Sequence, residues 1–280
     1  MTIERKVILL GRHGVAPQKK APEVGSLDSI EDESIQRMYA DSRLNLRPYF
    51  TRVETADAYV GPFMPGVQLA DVQLVHTPKV RTKVSGMARL AGAFGLEPTP
   101  QNADDVLGTK YPGLHSVSTR VESNLDYRTD QMNTAVYARK GPTGGPAANL
   151  NHWLQNPTAT EHEGVKGIAP FATWIGPRGV LAAQNIVKDA VNGKKAVFAI
   201  GHATSIDPVV IALVESSGKK VGSCDDFGGA FDMEDYAMLF VDINHDSGKV
   251  LANLSRKGKD YPVDLQRLAE RRVEVVPYFK

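Results

Sequence analysis

The sequence predicts an α/β protein: a three-layer sandwich in which a mostly parallel sheet carries helices on both faces. Three observations predict it. Short aliphatic and β-branched runs recur near the start, near residue 72 and near residue 196. Segments with helical periodicity alternate with them. Composition, at 42% hydrophobic and 23% charged residues over 280 positions, allows a large buried core.

The elements follow in order. KVILLG, at 6–11, is a buried strand closed by glycine. The charged stretch 17–66 begins a helix near Ser29, an N-cap with Asp32 and Glu33 in its first turn. Helix continues through 46–60 and stops at GPFMPG. VQLVHTP, at 72–78, is a second strand, and 79–95 an amphipathic helix with Gly95 near its end. Residues 97–168 are polar, rich in Pro and Gly and poorly periodic, and are expected to form a lid over one end of the sheet. Helix resumes within 171–194. AVFAIGH, at 196–202, is a third buried strand, followed by a helix over 205–218 with Pro208 in its first turn. Residues 236–244 and 249–258, joined by HDSG, are a hairpin. The whole, 1–280, is expected to be a single domain with that lid.

Basic and acidic residues nearly cancel, 33 against 32, so neither nucleic acid nor an anionic membrane is the expected partner. The single cysteine, Cys224, cannot form an internal disulfide, has no basic neighbours in sequence, and is read as a small packing residue of an intracellular chain. No run approaches the ~18 apolar residues of a membrane span, and no leader cleavage site follows the first strand. A cytoplasmic location is expected.

Ligands of open α/β sheets sit beyond the carboxyl ends of the strands. The three buried strands here end in Arg12-His13, in His76-Thr77 with Arg81 one turn into the next helix, and in Gly201-His202-Ala203-Thr204. In a parallel sheet, two guanidiniums and two imidazoles converge at one rim. Such a cluster calls for an anion, and a phosphoryl group suits bidentate guanidinium best.

These residues carry a resemblance. Arg12-His13-Gly14 after the first strand, Thr77-Pro78 with Arg81, Thr82 and Ser85 after the second, and Gly201-His202 after a later one resemble the histidine phosphatase superfamily, the phosphoglycerate mutase-like fold. The resemblance covers roughly 5–95 and 170–245. It implies a metal-independent phosphomonoester hydrolase without cofactor, acting on a phosphorylated small molecule or phosphoprotein. It implies His13 as the nucleophile that forms a phosphohistidine. A backbone carbonyl accepting from the other ring N–H would fix the attacking tautomer. Arg12, Arg81, His202, Gly14 and Ala203 are the implied phosphate-binding set, with Gly11 and Gly14 letting the chain turn so that Arg12 and His13 face one anion.

The pattern also departs from the family. A Glu is expected where Asn124 stands, and Asn cannot donate the leaving-group proton. Glu122 and Asp126 flank it; Glu122 is favoured, with Asp126 next and Glu161 or Glu163 third. Val15 follows the first motif where the family often has Glu or Gln. Ala203 stands where the acid phosphatase and phytase branch has Asp. A phosphate- or phosphoprotein-binding module lacking an effective acid, and a phosphomutase, are the alternative functions. His76 is expected to be a satisfied core histidine, and His115, His152 and His245 loop residues. His152 with the EHE stretch matches no standard metal-ligand spacing. Lys19 and Lys20 are expected to be solvated.

Overall fold

The computed structural model of the chain describes residues 2–14, 32–50, 53–54, 59–60, 64, 66–96, 114, 116–126, 146–162 and 165–276. In chain order these form β1 (Ile3–Arg12), α1 (Asp32–Asn45), α2 (Arg47–Phe50), β2 (Val53–Glu54), β3 (Tyr59–Val60), β4 (Val72–His76), α3 (Val80–Phe94) and β5 (Ser118–Val121). There follow α4 (Pro146–Gln155), β6 (Glu161–His162), β7 (Val165–Lys166), α5 (Gly176–Val191), β8 (Ala196–Gly201), α6 (Ala203–Ser216), β9 (Tyr236–Asn244), β10 (Val250–Arg256), β11 (Lys259–Val263) and α7 (Leu265–Glu270).

The central sheet has seven strands in the order β11-β10-β9-β1-β8-β4-β5. β1, β8, β4 and β5 run parallel, and β9, β10 and β11 add an antiparallel edge. The two short pairs β2–β3 and β6–β7 stand apart as separate ribbons. β1 shows why the sheet lies in the middle. Ile8 and Leu10 pack into the core beneath α5 and α6, whereas Val7 and Leu9 pack into the core beneath α1 and α3. A strand apolar on both faces has to be covered on both. Full burial of each such side chain contributes about 1.5–3 kcal/mol.

Connections position the site. β1 leads toward α1 on one face of the sheet, and its neighbour β8 leads directly into α6 on the other. Adjacent parallel strands whose next helices lie on opposite faces of the sheet mark a crevice at the strand ends. The registers Arg12↔Gly201, His76↔Ile200 and His76↔Val121 bring the ends of β1, β8, β4 and β5 to the same rim.

The three-layer expectation holds, with several local corrections. The helix read through 46–60 stops at Phe50, and Val53–Glu54 instead pairs with Tyr59–Val60. β-branched and aromatic residues there favour pairing once the helix ends. Pro208 lies inside α6, not in its first turn, because the helix begins already at Ala203. It sits against Gly179 of α5, where an added Cβ would lie 2.5 Å from the Pro208 Cβ and 2.7 Å from its carbonyl carbon. Gly95 closes α3 in the left-handed region at φ 64°. Residues 118–121, within the stretch read as a lid, are the edge strand of the main sheet. β11 and α7 escaped the sequence pattern: KDYPV contains a proline, which an edge strand tolerates. Ser29 lies outside the described residues.

Candidate active site

Four polar residues at these strand and helix ends are nearly buried: Arg12 8%, His13 4%, Arg81 7% and His202 1% exposed. The last pair of β1–β8 partners sets the geometry. The His13 N–H donates to the Gly201 carbonyl at 3.1 Å, so the chain leaving β1 stays tied to the chain leaving β8. The two imidazoles that follow these strands approach edge to face, with ring centroids 4.9 Å apart and planes at 73°.

The His13 Nδ1 lies 2.6 Å from the Gly14 carbonyl oxygen. A carbonyl only accepts, so Nδ1 carries the proton and, in the neutral ring, Nε2 keeps its lone pair. This is the tautomer a phosphorus-attacking nitrogen needs. The Gly14 N–H donates to Ser85 Oγ at 3.0 Å, and Ser85 Oγ donates to the Arg81 carbonyl at 2.7 Å. The serine of the second motif thus bolts the His13 loop to the first turn of α3, where Arg81 sits. Gly11 serves differently from the sequence expectation. It is a strand residue, and a Cβ there would come within 2.9 Å of Ile200 Cδ1. Its smallness lets β1 and β8 approach; it makes no turn.

His202 caps α6. Its N–H donates to Ser205 Oγ at 2.9 Å, and that hydroxyl donates back to the His202 carbonyl at 3.0 Å. Thr77 Oγ1 lies 3.5 Å from His202 Nε2 and 2.9 Å from Thr82 Oγ1. Ala203 is the first residue of α6, and Arg81 the second of α3. Two helix N-termini therefore open on the rim, and the positive ends of their dipoles favour an anion there. The Arg12 guanidinium is oriented from behind, with Nη1 donating to the Phe231 carbonyl at 2.8 Å, and the Arg12 N–H donates to the Asp235 carbonyl at 2.9 Å.

Glu122 is held in another role. Its N–H continues the ladder, donating to the His76 carbonyl at 2.9 Å. Its side chain turns toward α5. Oε2 accepts Arg120 Nη1 at 2.6 Å and Asn185 Nδ2 at 3.1 Å; Oε1 accepts the Asn124 N–H at 3.1 Å and Asn124 Nδ2 at 2.9 Å. Arg120 also pairs with Asp189 at 2.5 Å. Burial alone would depress the Arg120 guanidinium, but its hydrogen bonds to Glu122 and Asp189 prevail and raise it. With both oxygens occupied and only 3% of its surface exposed, Glu122 is the cap of the turn Ser123–Leu125, and the acid role expected of it lacks a free lone pair. Asn124, at the expected acid position, is one of its donors. Asp126 closes the same turn and is half-buried.

The remaining candidates separate clearly. His76 is buried with Nδ1 2.6 Å from the Thr77 carbonyl; burial lowers its pKa. His245 is exposed and lies 3.1 Å from Glu4. His152 of α4 stacks on His162 of β6. Glu161 is exposed in β6. Cys224 is buried, and burial, helped by the charges of Asp207 and Asp225, pushes its thiol up to about 12, which disfavours the thiolate. Val15, Lys19, Lys20, His115 and Glu163 lie outside the described residues. Sequence reasoning missed Asp207, Phe231 and Arg256 behind Arg12. The available signal was Asp207 itself, an acid in the otherwise apolar run of α6.

No protein-family model and no curated protein sequence matches the chain. Among solved structures, it is similar to one described as mycobacterial hydrolase 1, at 13% identity over 92% of this chain and 99% of that one, TM-score 0.44. It is similar to a mycobacterial glucosyl-3-phosphoglycerate phosphatase at 13% identity over 86% and 91%, TM-score 0.41. A phytase from Klebsiella sp. ASR1 overlaps at 10% identity over 90% and 81%, TM-score 0.42. Overlaps this loose decide nothing about function, which rests on the site itself. Among the described residues, no helix is long and apolar enough to cross a membrane.

Proposed function

We propose that the chain is a divergent histidine phosphatase that hydrolyses phosphomonoesters through a phosphohistidine on His13. The observation that carries this is the His13 ring, its proton fixed on Nδ1 by the Gly14 carbonyl, standing edge to face with His202 at the N-cap of α6. Arg12, Arg81 and His202 grip the phosphoryl oxygens and meet the charge that builds in the transition state. The His13 Nε2 lone pair forms the P–N bond while the bond from phosphorus to the ester oxygen breaks. The leaving oxygen takes a proton from an acid, a role that falls to Asp126 once Glu122 is committed to Arg120. Water then attacks phosphorus, Asp126 accepts its proton, and the P–N bond breaks to release inorganic phosphate.

Hydrolysis of p-nitrophenyl phosphate across pH 5–8 tests this. Wild-type protein is expected to turn over and to trap an acid-labile, alkali-stable phosphoryl group, and His13→Ala to do neither. A His13→Ala protein as active as wild type would overturn the reading. A second reading is favoured by one observation, the saturated Glu122 carboxylate beside Asn124: a phosphate-binding module without a working acid. Phosphate binding without turnover would select it.

A further inference from the structure

Behind Arg12 lies a chain of contacts that the phosphoryl chemistry does not itself use. Asp207, in the second turn of α6, is 1% exposed. It accepts the Phe231 N–H on Oδ1 at 2.9 Å. The Phe231 carbonyl in turn accepts Arg12 Nη1 at 2.8 Å. The N–H and the carbonyl flank one Cα, so fixing the first constrains the second. The Phe231 ring is clamped as well: the fully buried Arg256 guanidinium stacks 3.4 Å from its centroid. Arg256 comes within 3.7 Å of Asp235 Oδ2, and its nitrogens make no hydrogen bond among the described residues. A buried cation so poorly bonded needs a nearby counter-charge. Asp235 is one, and Asp207 in its ionised form another.

We propose that Asp207 is a positioning residue for Arg12: through the Phe231 main chain it aims the guanidinium at the phosphoryl group, and Arg256, stacked on the Phe231 ring, helps hold that residue in place. The inference rests on Arg12 being a phosphate ligand. Groups facing Asp207 come from four elements: Arg12 on β1, Arg256 on β10, Asp235 ahead of β9, and the Cys224 thiol. Burial raises the Asp207 carboxyl to about 7, against the pull of the Phe231 N–H and of both guanidiniums.

A misdirected Arg12 costs rate without unfolding the protein, since displacements of ~1 Å lower rates up to about 100-fold. The experiment is a double-mutant cycle on the full chain, with kcat/KM for p-nitrophenyl phosphate and competitive inhibition by inorganic phosphate as readouts. Asp207→Ala is expected to lower kcat/KM about 30- to 100-fold. Asp207→Asn, whose amide oxygen still accepts the Phe231 N–H, is expected to stay within about five-fold of wild type. In an Arg12→Ala background, Asp207→Ala is expected to cost nothing further, because the two act as one unit. Should Asp207→Ala fail to fold, Asp207→Leu combined with Arg256→Met removes both buried charges at similar volume and is expected to show the same loss. Multiplicative losses of Arg12→Ala and Asp207→Ala, or a folded charge-free variant as active as wild type, would overturn the positioning role while leaving the phosphatase reading intact. A wild-type protein that neither turns over nor binds phosphate would remove that reading and this inference together.

Discussion

The His13 and His202 rings stand edge to face with centroids 4.9 Å apart, although the residues lie 189 positions apart in sequence. The approach exists because β1 and β8 pair in parallel and end in register, Arg12 opposite Gly201. Each imidazole is the first residue past its strand. One has its proton fixed on Nδ1 by the Gly14 carbonyl, and the other caps a helix with its ring toward the first. Replacing His202 by Ala should therefore leave the fold intact and lower kcat by about 10²- to 10³-fold, the usual cost of one positioned transition-state donor. Steady-state kinetics with circular dichroism melting checks both halves of that statement.

The two carboxyl candidates should part company. Glu122→Gln exchanges a charge-assisted bond to Arg120 for a neutral one and is expected to lower stability by about 1–3 kcal/mol. At a temperature where the variant is folded, its kcat should stay within a few-fold of wild type. Asp126→Asn should do the reverse, with near-normal stability and a kcat about 10²- to 10⁴-fold lower. Urea unfolding and initial rates on the two proteins decide it; a dead, fully stable Glu122→Gln would return the acid role to Glu122.

Gly179→Ala is expected to be costly for a helix glycine. The new methyl would fall 2.5 Å from the Pro208 Cβ, with backbone close behind it. Neither partner can swing away, so α5 and α6 must separate, at about 1–3 kcal/mol for an overpacked core. Because α6 begins at the His202 cap, activity should fall with stability in this variant. An equal melting temperature for Gly179→Ala and wild type would show the crossing to be looser than it stands here.

Asp207 should add a pH term to stability, and its sign is definite. Burial raises the carboxyl from 3.8 to about 7 in the folded chain. The folded state then binds this proton more tightly than the unfolded state does. The contribution is complete below pH ~4, is lost as pH rises toward 7, and stays lost above, with a slope of at most about 1.4 kcal/mol per pH unit. Asp207→Asn should lose that slope. Unfolding free energies of both proteins from pH 4.5 to 8 measure the difference; parallel curves would show that Asp207 does not titrate in this window.

Much of this molecule is written locally. The double-sided apolar pattern of β1, β4 and β8 specifies buried parallel strands, because such residues have no solvent face to offer. The polar groups that end those runs specify a site, since strand ends are where a parallel sheet meets solvent. The place of Arg12, His13, Arg81 and His202 at strand and helix ends was legible for that reason, and Gly95 was legible as the stop of α3. What remained hidden depends on partners distant in sequence. Glu122 reads as an acid until Arg120, Asn124 and Asn185 are seen to occupy its oxygens; Asn185 reaches it from α5, and Asp189 of α5 holds Arg120 beside it. Gly11 reads as a turn until the Ile200 side chain is found where its Cβ would be. Asp207, Phe231 and Arg256 lie on α6, a loop and β10, and only the closed sheet brings them behind Arg12. Periodicity records which way a residue faces; it does not record what it meets there. The chemical inventory of the rim was therefore determined by the sequence alone, while the partner that each carboxylate and guanidinium meets was decided by long-range packing, where hydrogen-bond partners are fixed.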